Sequence, residues 1–136
     1  MKKKSIIFKI LSSNHLIINA KVNDVNGNFL IDTGASNSCI DLNKFEKFNL
    51  KFIKSDEIAS SASDEIKETF ISKKNSFSIG DCSSTYLDLI LFDMKRITQA
   101  LKEKDNVEVD GIIGSDMLIK FNSQIDYKKN EIKLEF

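Results

Sequence analysis

The chain has 136 residues, a length that predicts one domain spanning residues 1–136. A chain of this size can remove roughly two thirds of its surface from water on folding. Its 20 basic and 20 acidic side chains balance, and the one dense basic cluster is Lys2–Lys4. Because nucleic acids and acidic membrane surfaces bind basic patches or stripes, we expect neither as a partner.

Signals for secretion and membrane insertion are weak in this sequence. The apolar run Ser5–Phe8 is interrupted by Lys9 before it reaches the length of a signal-peptide core. No apolar stretch approaches about 18 residues, the length that a membrane span requires. Cys39 and Cys82 lack metal-type spacing, so we expect buried, reduced thiols. These features predict a cytoplasmic protein without a cofactor or a metal.

The first half of the chain is predicted to begin with strands. Residues 6–10 and 16–22 are strand-length runs rich in β-branched side chains. Asn26 and Gly27 both tolerate positive φ, which favours a hairpin turn at this pair. That turn would fold Phe29–Ile31 back onto the preceding strand and place Asp32 at a strand end.

A further strand and a short helix are predicted after residue 37. Ser38–Leu42 alternates in polarity as a strand does. Asn43, followed three residues later by Glu46, has the pattern of a capping box and predicts a short helix through Phe48. Residues 53–69 are the least apolar part of the chain, and the small polar run Ala59–Asp64 predicts a mobile hairpin tip.

The second half combines a long hairpin, two helices and a closing hairpin. Tyr86–Phe92 is apolar on both faces, which is typical of a central strand. The predicted elements are a strand at Phe77–Ile79, a turn at Gly80-Asp81, a strand at Tyr86–Phe92, a surface helix from Ile97 to Lys104, a helix from Asp116 to Phe121 capped by Ser115, and strands at Ser123–Tyr127 and Glu131–Phe136.

The run Asn28–Ile31 feeds an apolar strand straight into Asp32, Thr33 and Gly34. An unpaired charged carboxylate costs several kcal/mol in an apolar interior, so an aspartate at the end of an apolar strand calls for an explanation. A catalytic role is one such explanation. Glycine lets the backbone turn sharply and leaves room for a second chain or a substrate, while threonine adds a hydroxyl that can hydrogen-bond.

Asn28–Ser36 resembles the catalytic loop of retropepsin-like aspartic proteases, in which two apolar residues precede Asp-Thr-Gly and Ala or Ser follows. Val109–Leu118 resembles the family's second element, two apolar residues and a glycine leading into a short helix. Gln124–Tyr127 resembles the strand that comes next. The two motifs in this order are more specific than an isolated Asp-Thr-Gly. The resemblance implies a mostly β fold, a small closed barrel with short helices, with which the short strands and the lack of proline agree.

The resemblance also assigns site residues. Asp32, Thr33 and Gly34 would be catalytic, and Thr33 would hydrogen-bond between two copies of the loop. The resemblance also implies a set of residues that bind substrate or shape the cleft. They are Ala35, Ser36, Ser60, Ser61, Ala62, Ile112, Ile113 and Gly114. Ile112 and Ile113 would form an apolar pocket wall, and Gly114 would allow close packing against the catalytic loop. Ser60, Ser61 and Ala62 would lie in the flap that closes over substrate. Flaps in the family are typically glycine-rich, whereas residues 53–69 contain no glycine.

Hydrolysis by this route needs two carboxyl groups, one accepting a proton from water and one donating to the scissile carbonyl. The sequence holds no second Asp-Thr-Gly or Asp-Ser-Gly. The resemblance therefore implies a homodimer in which Asp32 of each copy meets at a two-fold axis. The C-terminal strand Lys133–Phe136 is a further candidate for the interface.

Each of these features has a simpler interpretation. Asp32–Gly34 alone fits an ordinary turn, and Ile112–Gly114 alone fits plain core. Asp116 fits a carboxylate that complements a helix dipole. His15 fits a solvated turn, and Lys102–Asp105 fits a solvated helix end. With a single histidine, zinc chemistry and a Ser-His triad lack support.

Two functions remain open at this point. The first is an aspartic endopeptidase that takes peptide or protein segments as extended strands. The second is a non-catalytic dimeric module of the same fold that binds peptides by strand addition. Fold resemblance does not decide between them.

Overall fold

The structure is a computed structural model and describes residues 2–55, 68–80 and 85–136. In chain order the strands in these ranges are β1 (Lys3–Ile7), β2 (Lys9–Ile10), β3 (Leu16–Val22), β4 (Val25–Ile31), β5 (Cys39–Asp41), β6 (Ile53–Ser55), β7 (Thr69–Ser78), β8 (Thr85–Phe92), β9 (Gly111–Ile113), β10 (Gln124–Asp126) and β11 (Glu131–Glu135). The helices are a 3-10 helix at Leu42–Lys44, α1 (Lys95–Asp105) and α2 (Ser115–Lys120). The predicted mostly β architecture is confirmed.

Six strands close into a barrel. Their order is β3, β4, β9, β5, β8 and β7, and the ring closes because β3 pairs with β7 as well as with β4. The β4–β9 and β5–β8 pairs are parallel, and the others in the ring are antiparallel. The predicted closed barrel is therefore confirmed, with β2 and β6 extending the sheet at its two ends.

A separate three-stranded sheet joins the two ends of the chain. β11 lies between β1 and β10 and is antiparallel to both. The backbone at Lys133 faces Ser5 on one side and Gln124 on the other. Strands β1 and β10 are therefore the edges of this sheet, and the predicted C-terminal hairpin is confirmed.

The described residues form three apolar cores, and two of them, a main core and a smaller one, lie on opposite faces of β3 and β4. In the main core, the ring of Phe29 lies 6.1 Å from that of Phe48 and 6.0 Å from that of Phe77, centroid to centroid. On the other face of β3 and β4, Ile17 and Leu30 pack with Leu101 of α1. Because neighbouring residues of a strand face opposite ways, this pair of strands serves both cores.

The first hairpin turns at a different pair from the one predicted. Strand pairing puts Val22 opposite Val25, so Asn23 and Asp24 form the two-residue turn, with φ of 50° and 65°. Positive φ at both positions is what such a tight hairpin requires. Gly27 instead lies inside β4, where an added Cβ would come 2.7 Å from the ring of Phe48. The glycine is needed for packing and not for a turn.

Both predicted helix N-caps, Asn43 and Ser115, are wrong by one or two residues. The 3-10 helix begins after Asp41, whose carboxylate accepts a hydrogen bond from the backbone N–H of Asn43. The N-cap of α2 is Gly114, and Ser115 is the first helical residue. In both cases the preceding strand continues to the cap, so tertiary pairing decides where the helix begins.

The remaining predictions are better in element type than in extent. The strand predicted at 6–10 is divided between β1 and β2, which lie in different sheets, β7 begins at Thr69 and not at Phe77, and the helix predicted through Phe48 ends at Lys44. The strand at 16–22 and the β7–β8 hairpin are confirmed, and Leu89–Phe92 is buried throughout, as expected of a central strand. β6 and β7 pair at the base of the predicted flap, whose tip, including Ser60, Ser61 and Ala62, lies outside the described residues. No helix in the described ranges has the length and apolar character to cross a membrane.

Candidate active site

Asp32 follows the last residue of β4, where the barrel fixes the start of a tight loop. Its backbone N–H donates to the carbonyl of Ile113, 3.0 Å away, on the parallel neighbour β9. Its own carbonyl accepts from the N–H of Ala35 at 3.2 Å. One side-chain oxygen, Oδ1, accepts from the N–H of Gly34 at 2.9 Å. A hydrogen bond from its own loop therefore holds the Asp32 carboxylate in place.

A cavity of about 450 Å³ opens at this loop. Asp32 is exposed, and it lines the cavity together with Thr33 and Gly34. The described residues lining it include one carboxylate, that of Asp32, and a largely apolar wall formed by Leu30, Ile31, Phe92, Ile97, Ile112 and Ile125. An apolar cleft with few convergent polar groups is the usual form of a ligand site.

The second predicted motif packs directly under the loop. The N–H of Ser115 donates to the carbonyl of Ala35 at 2.7 Å. A Cβ on Gly114 would lie 2.6 Å from that carbonyl and 2.9 Å from the carbonyl of Asn37, so only glycine allows this approach. The two sequence motifs therefore meet in space, as the resemblance implied.

Asp116 has a role that the sequence did not reveal. Its carboxylate accepts from the backbone N–H of Ser38 at 2.9 Å and from the Ser38 hydroxyl at 2.7 Å. The Ser38 oxygen in turn accepts from the N–H of Gly114 at 3.0 Å. Ser38 is fully buried. Asp116 thus links the first turn of α2 to Ser38, which lies between the Asp32 loop and β5. Its carboxylate also lies near the helix N-terminus.

A match to a family sequence profile shows to which protein family the chain belongs. The aspartyl protease profile matches residues 18–117. The chain belongs to the aspartyl protease family.

Several solved structures have the same fold. A retropepsin-like aspartic protease from Rickettsia conorii has a TM-score of 0.61 and 21% sequence identity, over 98% of this chain and 91% of that one. The EIAV protease, solved with an inhibitor, has a TM-score of 0.61 and 16% identity, over 85% of this chain and 95% of that one. The retroviral protease-like domain of Ddi1 from Leishmania major has a TM-score of 0.60 and 16% identity, over 88% and 87%. These likenesses show the retropepsin fold. No match was found among curated proteins.

The structure brings the predicted substrate-binding residues only partly together. Ile112 lines the Asp32 cavity, whereas its neighbour Ile113 is fully buried in the main core. Ala35 is the buried residue of the loop, and Ser36 is exposed; neither lines the cavity. Of the two isoleucines expected in the pocket wall, the structure therefore brings Ile112 to the cavity and gives Ile113 to the core.

A buried carboxylate lies just before β9, the strand that pairs with β4. Asp110 is 1% exposed and accepts from the N–H of Asn28 at 2.9 Å and from Nζ of Lys47 at 3.0 Å. It thereby joins the start of β9 to β4. The sequence placed Asp110 within the second motif but gave no sign that it would be buried, because its partner lysine lies far away along the chain.

His15 lies in the exposed polar turn predicted for it, yet it also lines the Asp32 cavity. Its Nδ1 lies 2.6 Å from the Ser13 hydroxyl. Tyr127, on the C-terminal hairpin, lines the same cavity. The turn, the Asp32 loop and that hairpin are distant in sequence, so no local pattern could have grouped these residues.

Cys39, in β5 close to the site, offers no nucleophile. Burial, followed by the negative charges of Asp116 and Asp32, raises the pKa of Cys39 to about 12. A thiol with this pKa stays protonated near neutral pH, and the thiolate is the reactive form. The expectation of a buried, reduced thiol is confirmed for Cys39. Cys82 lies outside the described residues.

Proposed function

We propose that the protein is an aspartic endopeptidase that hydrolyses peptide bonds with a water activated by two Asp32 carboxyls, one from each subunit of a homodimer. One observation carries the proposal. Asp32 is the one carboxylate among the described residues that line the cavity at the Asp-Thr-Gly loop. The site thus contains half of the acid pair that this chemistry requires.

Two carboxyls are needed because they perform opposite tasks. One, as the carboxylate, accepts a proton from the attacking water, while the other, as the acid, protonates the carbonyl oxygen of the scissile bond. Two carboxyls a few ångströms apart share one proton, since both cannot ionise together. A symmetric dimer supplies this pair from identical residues.

The neighbours of Asp32 support such a meeting of two loops. Within the described part of the chain, the exposed hydroxyl of Thr33 has no hydrogen-bond partner. A Cβ added to Gly34 would meet one described atom, Oδ1 of Asp32, at 3.3 Å. The chain's own packing therefore does not require glycine there. We propose that Thr33 hydrogen-bonds across the axis and that Gly34 leaves room for substrate.

A non-catalytic, peptide-binding dimer of the same fold is the second candidate. The glycine-free stretch 53–69 favours it, because flap closure over substrate is easier with flexible residues at the tip. Strand addition to a sheet edge would then provide affinity without cleavage.

The deciding experiment is digestion of a mixed peptide library by the wild type and by Asp32→Asn over a range of pH. We expect the wild type to cleave and Asp32→Asn to lose at least about 10³-fold in rate, because the amide cannot exchange the proton. Asp24→Asn is the matched control, since it makes the same acid-to-amide change in an exposed turn where Asn tolerates positive φ.

Three outcomes separate the candidates. Cleavage lost in Asp32→Asn and kept in Asp24→Asn supports the endopeptidase. Peptide binding by the wild type without cleavage at any pH supports the binding module. Equal cleavage by all three proteins would show that Asp32 is not the catalytic acid.

A further inference from the structure

One wall of the Asp32 cavity is a short turn, residues 11–15, that connects β2 to β3. Asn14 and His15 line the cavity from this turn. The N–H of Leu11 donates to the carbonyl of His15, and the N–H of Asn14 donates to the carbonyl of Leu11, both at 2.8 Å. Asn14 has a φ of 69°, which asparagine adopts more readily than most residues. These bonds fix the shape of the turn but not its position on the barrel.

The position of the turn is set by α1. The carboxylate of Asp105, at the end of this helix, accepts from the backbone N–H of Ser12 through Oδ1 and from the Ser12 hydroxyl through Oδ2, each at 2.9 Å. Hydrogen bonds to a carboxylate are roughly twice as strong as those between neutral groups. Leu11 also packs with Leu101 of the same helix in the smaller core. Asp105 and Leu101 therefore hold the turn against α1.

The helix reaches the same cavity as the turn. Ile97 of α1 lines the cavity, and it packs against the smaller core that contains Leu11 and Leu101. The helix and the turn thus form one packed unit. This unit contributes Ile97 from the helix and His15 from the turn to the cavity wall.

His15 has a ring nitrogen that a ligand could use. Its Nδ1 lies 2.6 Å from the hydroxyl of Ser13, in the same turn. Among the described residues, none hydrogen-bonds to its Nε2. When Nδ1 accepts from the Ser13 hydroxyl, the ring hydrogen lies on Nε2, which then donates. A peptide in the cavity offers carbonyl oxygens along its backbone, so it supplies acceptors for this donor.

We propose that Asp105 is a positioning residue of the active site, which holds Ser12 and thereby keeps Nε2 of His15 where it donates a hydrogen bond to the substrate. The inference rests on the proposed peptidase function. The described residues that line the cavity do not include Asp105, so it acts through the turn. Loss of its two hydrogen bonds weakens substrate binding and leaves the Asp32 pair intact. A contact equally strong in the ground and transition states affects KM and not kcat.

The first experiment examines the turn without substrate. Amide hydrogen exchange, followed by NMR, reports the opening of the Leu11 and Asn14 N–H groups that close the turn. We expect Asp105→Ala to speed the exchange of both by about two- to tenfold, because the bonds to Ser12 are lost. Glu103→Ala is the matched control, since it removes an acid from the same helix that does not bond to the turn. Unchanged exchange in Asp105→Ala overturns the positioning role.

A conservative variant separates the hydrogen bonds from the charge. Asp105→Asn should keep most of the protection of the turn, because the amide oxygen can accept from the Ser12 N–H and the amide nitrogen can donate to the Ser12 hydroxyl oxygen. Exchange as fast in Asp105→Asn as in Asp105→Ala would show that these bonds do not position the turn.

The second experiment measures kcat and KM for the peptide that the wild type cleaves fastest in the mixed library. His15→Ala should raise KM about two- to tenfold and change kcat less than about twofold. Asp105→Ala should raise KM in the same way, and Glu103→Ala should not. The double variant His15→Ala/Asp105→Ala should be no worse than His15→Ala, because Asp105 acts through His15. Effects on KM that multiply, or an unchanged KM in His15→Ala, overturn the inference while the peptidase stands.

Failure of the peptidase proposal has a different signature. If the wild type cleaves no peptide, that proposal fails, and the exchange measurement still tests the role of Asp105 in the turn. Fluorescence anisotropy of the labelled library peptides then compares their binding to the wild type and to His15→Ala. Weaker binding by His15→Ala supports the contact between His15 and a peptide, and equal or absent binding overturns it.

Discussion

At the scale of single residues, two glycines beside Asp32 serve different purposes. Gly114 lies against backbone, with an added Cβ 2.6 Å from the carbonyl of Ala35, whereas an added Cβ on Gly34 would meet only the Asp32 carboxylate at 3.3 Å among described atoms. Backbone cannot move aside as a flexible side chain can. Packing therefore requires glycine at position 114 and does not require it at position 34.

This contrast predicts that a change to alanine affects stability at Gly114 and peptide cleavage at Gly34. Gly114→Ala should lower the free energy of unfolding by about 1–3 kcal/mol, as overpacking does. Gly34→Ala should change it by less than about 1 kcal/mol and should reduce peptide cleavage, because its methyl group enters the space kept for substrate. Urea unfolding and a cleavage assay measure the two effects. Equal losses of stability would contradict the assignment.

Ser38 provides a second test at this scale. Its hydroxyl donates to Asp116 and accepts from the N–H of Gly114, and it is fully buried. Ser38→Ala should destabilise the protein by about 1–3 kcal/mol, because a buried donor loses its partner. Ser36→Ala is the control, since Ser36 is exposed and makes one long hydrogen bond of 3.4 Å with Asn37. Comparable unfolding curves for the two variants would show that the Ser38 network contributes nothing.

Cys39 makes stability depend on alkaline pH. Burial, and then the charges of Asp116 and Asp32, raise the pKa of this thiol from 9.0 to about 12. A raised pKa means that the contribution of Cys39 is complete below about pH 9 and is lost as the pH rises towards 12, because the unfolded chain ionises first. At about pH 10 the wild type should have lost about 1.4 kcal/mol relative to its value at pH 7 through this group.

The measurement is urea unfolding of the wild type and Cys39→Ala between about pH 7 and about pH 10. The substitution itself leaves a cavity, so the informative quantity is the difference in pH slope and not the difference in stability at one pH. Every other titrating group is common to the two proteins. Parallel slopes would contradict the burial of the thiol.

At the scale of elements, the sequence predicted types better than boundaries. The run 16–22 was predicted to the residue because its β-branched pattern is local, and the strand is flanked by polar turns. The first hairpin turn was misplaced because Asn26-Gly27 and Asn23-Asp24 both allow positive φ. The pairing of Val22 with Val25 decides between them, and Gly27 is instead needed where the ring of Phe48 packs.

The candidate site shows the same division between local and tertiary information. Asp32 and its loop were predicted from an ordered run of residue types, and so was the contact with the second motif. Both Ile112 and Ile113 were predicted in the cavity wall, but the pleat of β9 turns Ile113 into the core. The register of a three-residue strand cannot be read from the sequence. His15 reaches the cavity only because the barrel brings its turn to the end of β4.

The C-terminal sheet constrains how two copies could meet. β11 already has β1 on one side and β10 on the other over residues 131–133. A partner strand that joins this sheet by hydrogen bonding there must therefore pair with β1 or β10. The participation of Lys133–Phe136 in a dimer interface stays a prediction.

At the scale of the whole molecule, the proposed activity belongs to a pair of chains. If each active site requires two Asp32 carboxyls, a chain carrying Asp32→Asn inactivates whichever partner it joins. A monomeric enzyme would be indifferent to such a chain. Mixing the two proteins therefore distinguishes a shared site from a site complete in one chain.

With equal amounts of wild type and Asp32→Asn allowed to exchange subunits, random pairing places half of the wild-type chains in mixed dimers. Activity per wild-type chain should fall to about half, and to about one tenth with a ninefold excess of Asp32→Asn, since only pairs of wild-type chains keep both acids. Asp24→Asn mixed in the same ratios should cause no loss. Sedimentation at the assay concentration establishes that dimers are present. An undiminished rate in the Asp32→Asn mixtures, with exchange shown by a labelled subunit, would mean that one chain hydrolyses peptides with one Asp32 carboxyl.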